Sequence, residues 1–239
     1  MPLPVKTAFV LGAGLGTRLR PLTNDWPKPL LMVQGLPLIT HAFEHLHRAG
    51  VNRILINTHH CSPRYKEVFP EGSWKGIPLI FRHEPVLLET GGGLKNMEDL
   101  VGEETFLVYN GDVFTSLPLE PLLKAHRASG CEVTLALRSK GSSLNVGLDE
   151  RGRVQDLRGR LGTQGLTATV FTGIYVVEPR FLKRLTAGKI ESVVEAFLRM
   201  IVDAPDSLGG VVIDDGFWFD LGTMEEFQRV RTRELASHE

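Results

Sequence analysis

Three alternating glycines followed by two cations are the residues near the N-terminus that could do chemistry. The glycines come directly after an apolar run at residues 7–11, and they are Gly12, Gly14 and Gly16. Because glycine has no Cβ, such a loop can turn tightly and aim several backbone N–H groups at one anion. A helical turn expected from Thr17 adds its free N–H groups, and Arg18 and Lys28 add positive charge. The segment therefore predicts a phosphate-binding loop.

Two common glycine motifs do not match this loop. The dinucleotide fingerprint GxGxxG needs a glycine where this chain has Thr17. The Walker loop GxxxxGK[ST] needs a lysine after its second glycine, and none follows Gly16, Gly35 or Gly93. A plain strand-to-helix turn stays open as the alternative.

The continuation of the loop resembles a known family. Residues 14–29, GLGTRLRPLTNDWPKP, are similar to the signature GxGTRLxPLTxxxPKP of the sugar-phosphate nucleotidyltransferases, also called nucleotide-sugar pyrophosphorylases. The resemblance implies that Arg18 holds the leaving pyrophosphate and that Lys28 contacts phosphate, both as catalytic residues. The nucleotide-binding residues that it implies in the loop are Leu11, Gly12, Ala13, Gly14, Gly16 and Thr17. Two fixed cations and a set of N–H groups suit a triphosphate on physical grounds as well.

A second glycine run, residues 91–93, precedes a helix expected near residues 94–100. Polyglycine alone is about as often a flexible loop as a binding site. The family resemblance implies that this loop lies against the base and ribose, with Gly92 as a contact and Glu84 reading the edge of the base. The ETGGG form is most similar to bacterial uridylyltransferases that act on N-acetylmuramate 1-phosphate, and next to guanylyltransferases that act on mannose 1-phosphate.

Two aspartates follow short β-rich runs. Asp112 comes after residues 105–109, and Asp220 comes after residues 217–219. Open α/β sheets bind ligands at the carboxyl ends of their strands, although Asn-Gly-Asp is also a common turn. The resemblance implies that both aspartates ligate a Mg²⁺ ion bridging the nucleotide phosphates, that Asp112 is catalytic, and that Asn110 contacts the nucleotide.

The stretch from about residue 145 to 177 is expected to cover the sugar. It contains a predicted hairpin and a long strand at residues 167–177, and a glycine inside a strand marks a bulge or a close ligand approach. The sugar-phosphate contacts implied by the resemblance are Asn145, Gly147, Thr172 and Gly173. The family's glutamate-lysine-proline stretch is replaced here by residues 156–159, DLRG, which leaves the identity of the sugar open.

One motif is interpreted as structural. Residues 41–45, HAFEH, satisfy the HxxEH pattern of a class of zinc proteases. A third ligand is not visible in the sequence, and His47 continues a polar face, so an ordinary amphipathic helix is favoured.

Composition limits the class of protein. The 239 residues are 42% hydrophobic and carry a formal net charge of −1, which favours a globular protein without a nucleic-acid partner. No apolar run is long enough to predict a membrane span. Cys61 and Cys131 are too few for a disulfide framework, which favours a reducing, cytoplasmic location. We expect a single catalytic domain over residues 1–239, without the C-terminal β-helix of many family members, as a monomer or homodimer.

The elements that must position the candidate residues follow from hydrophobic periodicity. Strands are expected at residues 7–11, 53–57, 79–81, 105–109, 132–137, 167–177, 211–213 and 217–219. Helices are expected at residues 37–49, 62–69, 94–100, 118–129, 179–185 and 190–202, with a last helix after a capping box of Thr223 and Glu226. This alternation predicts a three-layer α/β/α, Rossmann-like fold with a mixed, mostly parallel central sheet, which is also the nucleotide-diphospho-sugar transferase fold that the resemblance implies.

The reaction implied by the resemblance joins an NTP and a sugar 1-phosphate to give an NDP-sugar and pyrophosphate. Uridylyl transfer is the first expectation. Guanylyl, thymidylyl and cytidylyl transfer, including transfer to phosphocholine, stay open. A protein that binds nucleotide sugars without catalysis is the alternative from a different class.

Overall fold

A computed structural model describes residues 5–141 and 143–232. The strands are β1 Thr7–Leu11, β2 Met32–Val33, β3 Leu36–Pro37, β4 Arg53–Thr58, β5 Ser73–Trp74, β6 Ile77–His83, β7 Phe106–Asn110, β8 Val113–Thr115, β9 Val133–Arg138, β10 Val146–Leu148, β11 Val154–Leu157, β12 Thr167–Val177, β13 Leu208–Val212 and β14 Trp218–Asp220. The α-helices are α1 Leu38–Arg48, α2 Pro63–Val68, α3 Glu89–Asn96, α4 Glu98–Val101, α5 Glu120–Ser129, α6 Val193–Asp203 and α7 Met224–Thr232. Short 3₁₀ helices lie at Thr17–Leu19, Lys28–Leu30 and Pro179–Arg184.

Four parallel strands form the centre of the main sheet, in the order β6, β4, β1, β7. Ala8, Phe9 and Val10 of β1 are all fully buried, as expected when helices cover both faces of a parallel sheet. Beyond β7 the sheet becomes mixed, because β12 runs antiparallel to β7, β9 and β10, whereas β13 is parallel to β9. The predicted mixed sheet with a parallel centre is therefore confirmed.

Helices cover both faces of this sheet. On one face Phe43 of α1 and Tyr65 of α2 belong to a buried apolar cluster, and on the other face Leu94 of α3 and Phe197 of α6 belong to a second. Burying a side chain of this size contributes roughly 1.5–3 kcal/mol to folding, which holds the layers together. The predicted three-layer arrangement is confirmed.

A third cluster joins the last helix to the loop after β1. Its buried members are Leu19, Val33, Leu38, Phe114, Leu221, Phe227 and Val230. Because it combines Leu19 with Leu221, Phe227 and Val230, the third cluster packs α7 against the short helix that follows the glycine loop.

Two helices begin three or more residues away from their predicted starts. The helix expected near residue 94 begins at Glu89, so residues 91–93 are helical rather than a loop. The helix expected at residue 190 begins at Val193, after Ser192, whose side chain accepts a hydrogen bond from the N–H of Val194. No helix of the described residues combines the length and apolarity needed to cross a membrane.

Candidate functional site

The glycine loop after β1 and the carboxyl end of β7 open onto one cleft of about 350 Å³. Its lining residues are Leu11, Gly12, Ala13, Gly14, Leu15, Gly16, Thr17, Arg18, Leu19, Lys28, Pro29, Leu87, Thr90, Asn110, Asp112 and Gly222. Parallel strands β1 and β7 both end here, which is why the loop and Asp112 meet. The structure therefore brings every predicted residue of the glycine loop together with Lys28, Asn110 and Asp112.

The backbone N–H groups of the loop are divided between two uses. Those of Gly12 and Ala13 donate to the side-chain oxygen of Asn57, at N···O distances of 2.9 and 3.2 Å. The N–H groups of residues 14–18 donate to no acceptor in the described part of the chain. Asn57 therefore already occupies the N–H groups of Gly12 and Ala13, and nucleotide binding by these two residues stays a prediction. The loop N–H groups left for an anion are therefore those of residues 14–18, where Gly16 has a φ of 60°.

Lys28 and Asp112 form an ion pair at the floor of the cleft. The ammonium nitrogen lies 2.7 Å from Asp112 Oδ2, and Lys28 is only 8% exposed. Pro27 precedes the short helix Lys28–Leu30 and fixes the backbone that carries this lysine. A partly desolvated charge pair of this length is strong, and it holds a cation in the cleft.

Asp220 lies beside Asp112 because two short strands pair. In the antiparallel β8–β14 ladder Asp220 is opposite Val113, and the N–H of Leu221 donates to the carbonyl of Asp112 at 3.2 Å. Asp220 is open to solvent but surrounded by protein on several sides. This partial desolvation, and then the negative charge of Asp112, raise the pKa of Asp220, while Lys28 opposes the rise.

Arg18 completes the charged group. Its guanidinium packs on Gly222, where an added Cβ would lie 2.9 Å from Nη1. Glycine two residues after Asp220 therefore leaves space for the arginine near Asp220. The structure brings the four predicted charged residues, Arg18, Lys28, Asp112 and Asp220, into one site.

These residues suit a Mg²⁺ ion that arrives with phosphate. Among residues 5–141 and 143–232, no three His, Cys, Asp or Glu side chains converge on a metal position. Magnesium prefers six oxygen ligands, usually keeps several waters, and is often held by one or two carboxylates together with substrate phosphates. Asp112 and Asp220 fit that pattern.

The two predicted base contacts, Glu84 and Gly92, do not line the cleft. Glu84 is fully buried, its Oε1 accepts a hydrogen bond from Asn57 Nδ2 at 2.8 Å, and its Oε2 accepts one from the N–H of Leu88 at 3.1 Å. Both carboxylate oxygens are therefore occupied within the protein. Gly92 lies inside α3, where a Cβ would collide with the carbonyl of Lys189. Leu87 and Thr90 line the cleft instead.

Three of the four predicted sugar contacts have structural roles outside this cleft. Thr172 is buried, and its hydroxyl donates to the carbonyl of Ala136 at 2.7 Å, so it serves the bulge in β12. Asn145 Oδ1 accepts the N–H of Phe171 at 3.3 Å. The Cα of Gly147 faces the Leu166 side chain. These three residues shape the lobe, which explains their types without a ligand.

Gly173 is the member of that set that touches a cleft residue. It has a φ of 79°, and an added Cβ would lie 2.6 Å from Asn110 Nδ2. The glycine in the bulge thus allows Asn110 to lie close against the lobe strand. Trp218 of β14 makes a second connection to β12, because its indole N–H donates to the carbonyl of Thr172 at 2.9 Å.

Sequence reasoning misses Asn57, Tyr65 and Trp218. Asn57 is a buried amide near the end of an apolar strand, and Tyr65 donates its hydroxyl hydrogen to the carbonyl of Gly12 at 2.9 Å. The polar residue in an otherwise apolar strand is the only sequence signal for Asn57, and it does not reveal the partner.

The charged and imidazole side chains of the HAFEH segment have partners within the protein. His41 Nε2–H donates to the carbonyl of Val33 at 3.0 Å, and His45 Nδ1 lies 3.1 Å from the Tyr109 hydroxyl oxygen. Glu44 pairs with Lys75 at 2.7 Å. Burial lowers the pKa of His45 to about 4.

Comparison with known proteins gives matches over nearly the whole chain. A sequence model of the family described as Nucleotidyl transferase matches residues 7–237. Mannose-1-phosphate guanylyltransferase of Mycobacterium tuberculosis is 34% identical over 226 residues, covering 93% of this chain and 62% of that protein. UTP–glucose-1-phosphate uridylyltransferase of Synechocystis sp. is 25% identical over 237 residues, covering 92% and 61%. The chain thus spans about 60% of the length of these curated relatives.

Solved structures share the fold. The UTP-bound UGPase of Acinetobacter baumannii superposes with a TM-score of 0.77 at 18% identity, covering 95% of this chain and 92% of that one. At this identity the likeness supports the fold rather than a substrate.

Proposed function

The chain belongs to the nucleotidyl transferase family, and we propose that it transfers a nucleotidyl group from an NTP to a sugar 1-phosphate, releasing pyrophosphate. One observation carries the proposal. Arg18, Lys28 and Asp112 line one cleft together with the free N–H groups of residues 14–18, and Asp220 lies beside Asp112. A site with two fixed cations, two carboxylates and an amide cradle suits a metal-bound triphosphate.

The proposed reaction needs no side-chain nucleophile. A phosphate oxygen of the sugar 1-phosphate is ionised at neutral pH and attacks the α-phosphorus in line, so the new P–O bond forms as the bond to pyrophosphate breaks. The protein's part is to position the reactants and to neutralise charge. In this proposal Arg18 and the N–H groups of residues 14–18 hold the leaving pyrophosphate, and Lys28 neutralises charge on the phosphates.

Asp112 and Asp220 are the residues that would hold Mg²⁺. The ion, when bound to them and to phosphate oxygens, supplies further neutralisation of the charge at the transferred group. Asn110, held against Gly173 at the end of β7, lines the same cleft and is proposed to contact the nucleotide.

GTP and UTP are the first nucleotides to test. The relative at 34% identity is named for guanylyl transfer to mannose 1-phosphate, and that named for uridylyl transfer is 25% identical. We therefore propose GTP with mannose 1-phosphate as the first pair, ahead of the uridylyl transfer that the ETGGG resemblance favours. Thymidylyl and cytidylyl transfer, including transfer to phosphocholine, complete the panel.

The test is pyrophosphate release by the purified chain with four NTPs and a panel of sugar 1-phosphates. We expect release with at least one pair, loss of release in EDTA, and recovery on adding Mg²⁺. Binding of NDP-sugars without release from any pair would favour the non-catalytic alternative. That alternative is the weaker one, because all four charged residues are present, three of them lining the cleft and Asp220 beside Asp112.

A further inference from the structure

A buried amide–carboxylate pair connects the two loops that flank the cleft. Asn57 at the end of β4 is 1% exposed, and Glu84 directly after β6 is fully buried. Strands β4 and β6 are parallel neighbours with Thr58 opposite His83, so both side chains emerge at the same edge of the sheet as the glycine loop. Neither residue lines the cleft, yet each contacts a segment that does.

The hydrogen bonds run without a break from one loop to the other. Asn57 Oδ1 accepts the N–H groups of Gly12 and Ala13, and Asn57 Nδ2 donates to Glu84 Oε1 at 2.8 Å. Glu84 Oε2 then accepts the N–H of Leu88 at 3.1 Å, next to Leu87 in the cleft lining. These hydrogen bonds join the phosphate side of the cleft to the side occupied by residues 87–90.

The neighbouring glycines leave room for this pair. A Cβ at Gly93 would lie 2.9 Å from Asn57 Nδ2 and 3.0 Å from Glu84 Oε1. A Cβ at Gly12 would lie 2.7 Å from the carbonyl oxygen of Asn57. The Asn57–Glu84 bond therefore forms in close-packed surroundings, where an unpaired polar group is strongly unfavourable.

The two ends of the pair are chemically different, which fixes its orientation. Only the amide oxygen of Asn57 can accept two backbone N–H groups, so its NH₂ must point to Glu84. An ionised carboxylate only accepts hydrogen bonds, which matches a donor on each side of Glu84. The arrangement is therefore satisfied in one way, and an isosteric change at either residue breaks it.

We propose that Asn57 and Glu84 are positioning residues that couple the glycine loop to the segment of residues 87–90, so that the phosphate and base ends of a nucleotide are recognised together. The proposal rests on the function proposed above, because it takes the occupant of the cleft to be a nucleoside triphosphate. Neither residue touches the nucleotide. Each acts through backbone that does.

A reciprocal exchange of the two side chains tests the pair. In Asn57→Asp a second carboxylate faces Glu84, and in Glu84→Gln an NH₂ group faces either Asn57 Nδ2 or the N–H of Leu88. In the double variant the carboxylate introduced at position 57 accepts the Gly12 and Ala13 N–H groups and one N–H of the amide introduced at position 84. The oxygen of that amide accepts the N–H of Leu88. Every hydrogen bond is restored, and only the bond between positions 57 and 84 has its donor and acceptor exchanged. A double-mutant cycle measures the coupling between the two positions.

We expect each single variant to weaken NTP binding by about tenfold or more, and the double variant to recover to within about threefold of the wild type. The KM for sugar 1-phosphate stays nearly constant in all three. Binding is measured by calorimetry well below the unfolding midpoint of every variant, so loss of folded protein does not enter. Recovery of stability without recovery of NTP affinity would overturn the proposal.

Fragments of the nucleotide test the coupling itself. Asn57→Asp is expected to weaken binding of the free nucleoside, although Asn57 itself contacts the glycine loop and Glu84. Glu84→Gln is expected to weaken binding of pyrophosphate alone. Independent loops would give the opposite result, in which each variant affects only the fragment bound at its own loop, and that result would contradict the proposal.

Matched controls use exposed residues. Asn52→Asp just before β4 and Glu71→Gln make the same chemical changes outside the cleft and are expected to leave NTP affinity unchanged. Failure of the wild type to bind any NTP would defeat the proposed function instead. Binding by the wild type without recovery in the double variant would defeat only the coupling.

Discussion

Among the charged residues of the site, Lys28 is the one whose charge we expect to matter most for turnover, because its ammonium is held close to the carboxylates of Asp112 and Asp220. Its 2.7 Å contact with Asp112 and its low exposure keep it within the cleft rather than in solvent. A charge in such a position acts on phosphate in a partly water-excluded setting, where electrostatic stabilisation is stronger than in bulk water.

Replacing Lys28 by methionine removes the charge and keeps most of the stem. We expect turnover in the pyrophosphate-release assay to fall by about 100-fold or more, because a preorganised cation is lost from the phosphate site. Lys124→Met on the exposed face of α5 is the control and should keep normal turnover. Near-normal turnover of a folded Lys28→Met protein would contradict the assignment.

His45 gives a prediction for stability against pH. Burial lowers its pKa from 6.5 to about 4, so below pH 6.5 the unfolded chain binds more protons. The contribution is fully present above pH 6.5 and is lost as pH falls to about 4, with a total of about 3 kcal/mol. Urea unfolding from pH 7 to 4 should show a shallower fall for His45→Gln than for the wild type. His126, whose pKa burial also lowers, is unchanged in both proteins and cancels in the difference.

The types of the site residues can be predicted from the sequence better than their hydrogen bonds. Arg18, Lys28, Asp112 and Asp220 meet as expected, because strand ends and the glycine loop dictate their location. The hydrogen bond between Glu84 and Asn57 could not be predicted, because the two residues are 27 positions apart in the chain. Partners separated this far leave no local pattern.

At the scale of elements, α3 shows how packing overrides propensity. Three successive glycines are poor helix formers, yet residues 91–93 are helical. The N–H groups of Gly91 and Gly92 donate to the carbonyl of Glu191 at 2.7 and 3.1 Å, so the segment around Glu191 passes very close to the helix. The prediction of a loop is wrong because only the tertiary contact shows why glycine is needed.

Gly92→Ala separates propensity from packing. Alanine alone would favour the helix by about 1 kcal/mol, but its Cβ would collide with the carbonyl of Lys189. We expect net destabilisation of about 1–3 kcal/mol in urea unfolding. Ala128→Gly on the exposed face of α5 is the comparison, where propensity alone should act. A more stable Gly92→Ala protein would show that the contact relaxes easily.

Regular elements are predicted well wherever hydrophobic periodicity is strong. Strand 7–11 matches β1, strand 167–177 matches β12, and the helix at 118–129 differs from α5 only at its start. The pairing of β8 with β14, which places Asp220, cannot be predicted because each strand has only three residues.

At the scale of the whole molecule, the third cluster connects α7 to the cleft. Leu19 and Leu221 both belong to this cluster. Leu19 directly follows Arg18, and Leu221 lies between Asp220 and Gly222, so both also adjoin the cleft wall. Packing around Phe227 therefore sets the position of charged residues at the other side of the cluster.

Phe227→Ala tests this connection. Truncating a buried phenylalanine costs about 3–5 kcal/mol of stability, and we expect a lower unfolding midpoint in urea. We also expect reduced turnover at temperatures where the variant is still folded, because Arg18 and Asp220 lose their support. Glu225→Ala on the exposed side of α7 should change neither quantity. Full turnover of folded Phe227→Ala would separate α7 from the cleft.

The contact between Lys28 and Asp112 also bears on the order in which ligands arrive. One carboxylate oxygen is shared by a resident ammonium and, in the proposed reaction, by an incoming divalent ion, so the two are rivals for it. Incoming phosphates attract the ammonium and release the oxygen. A free divalent ion should therefore bind only weakly to the enzyme without nucleotide, and metal and triphosphate should bind as one complex.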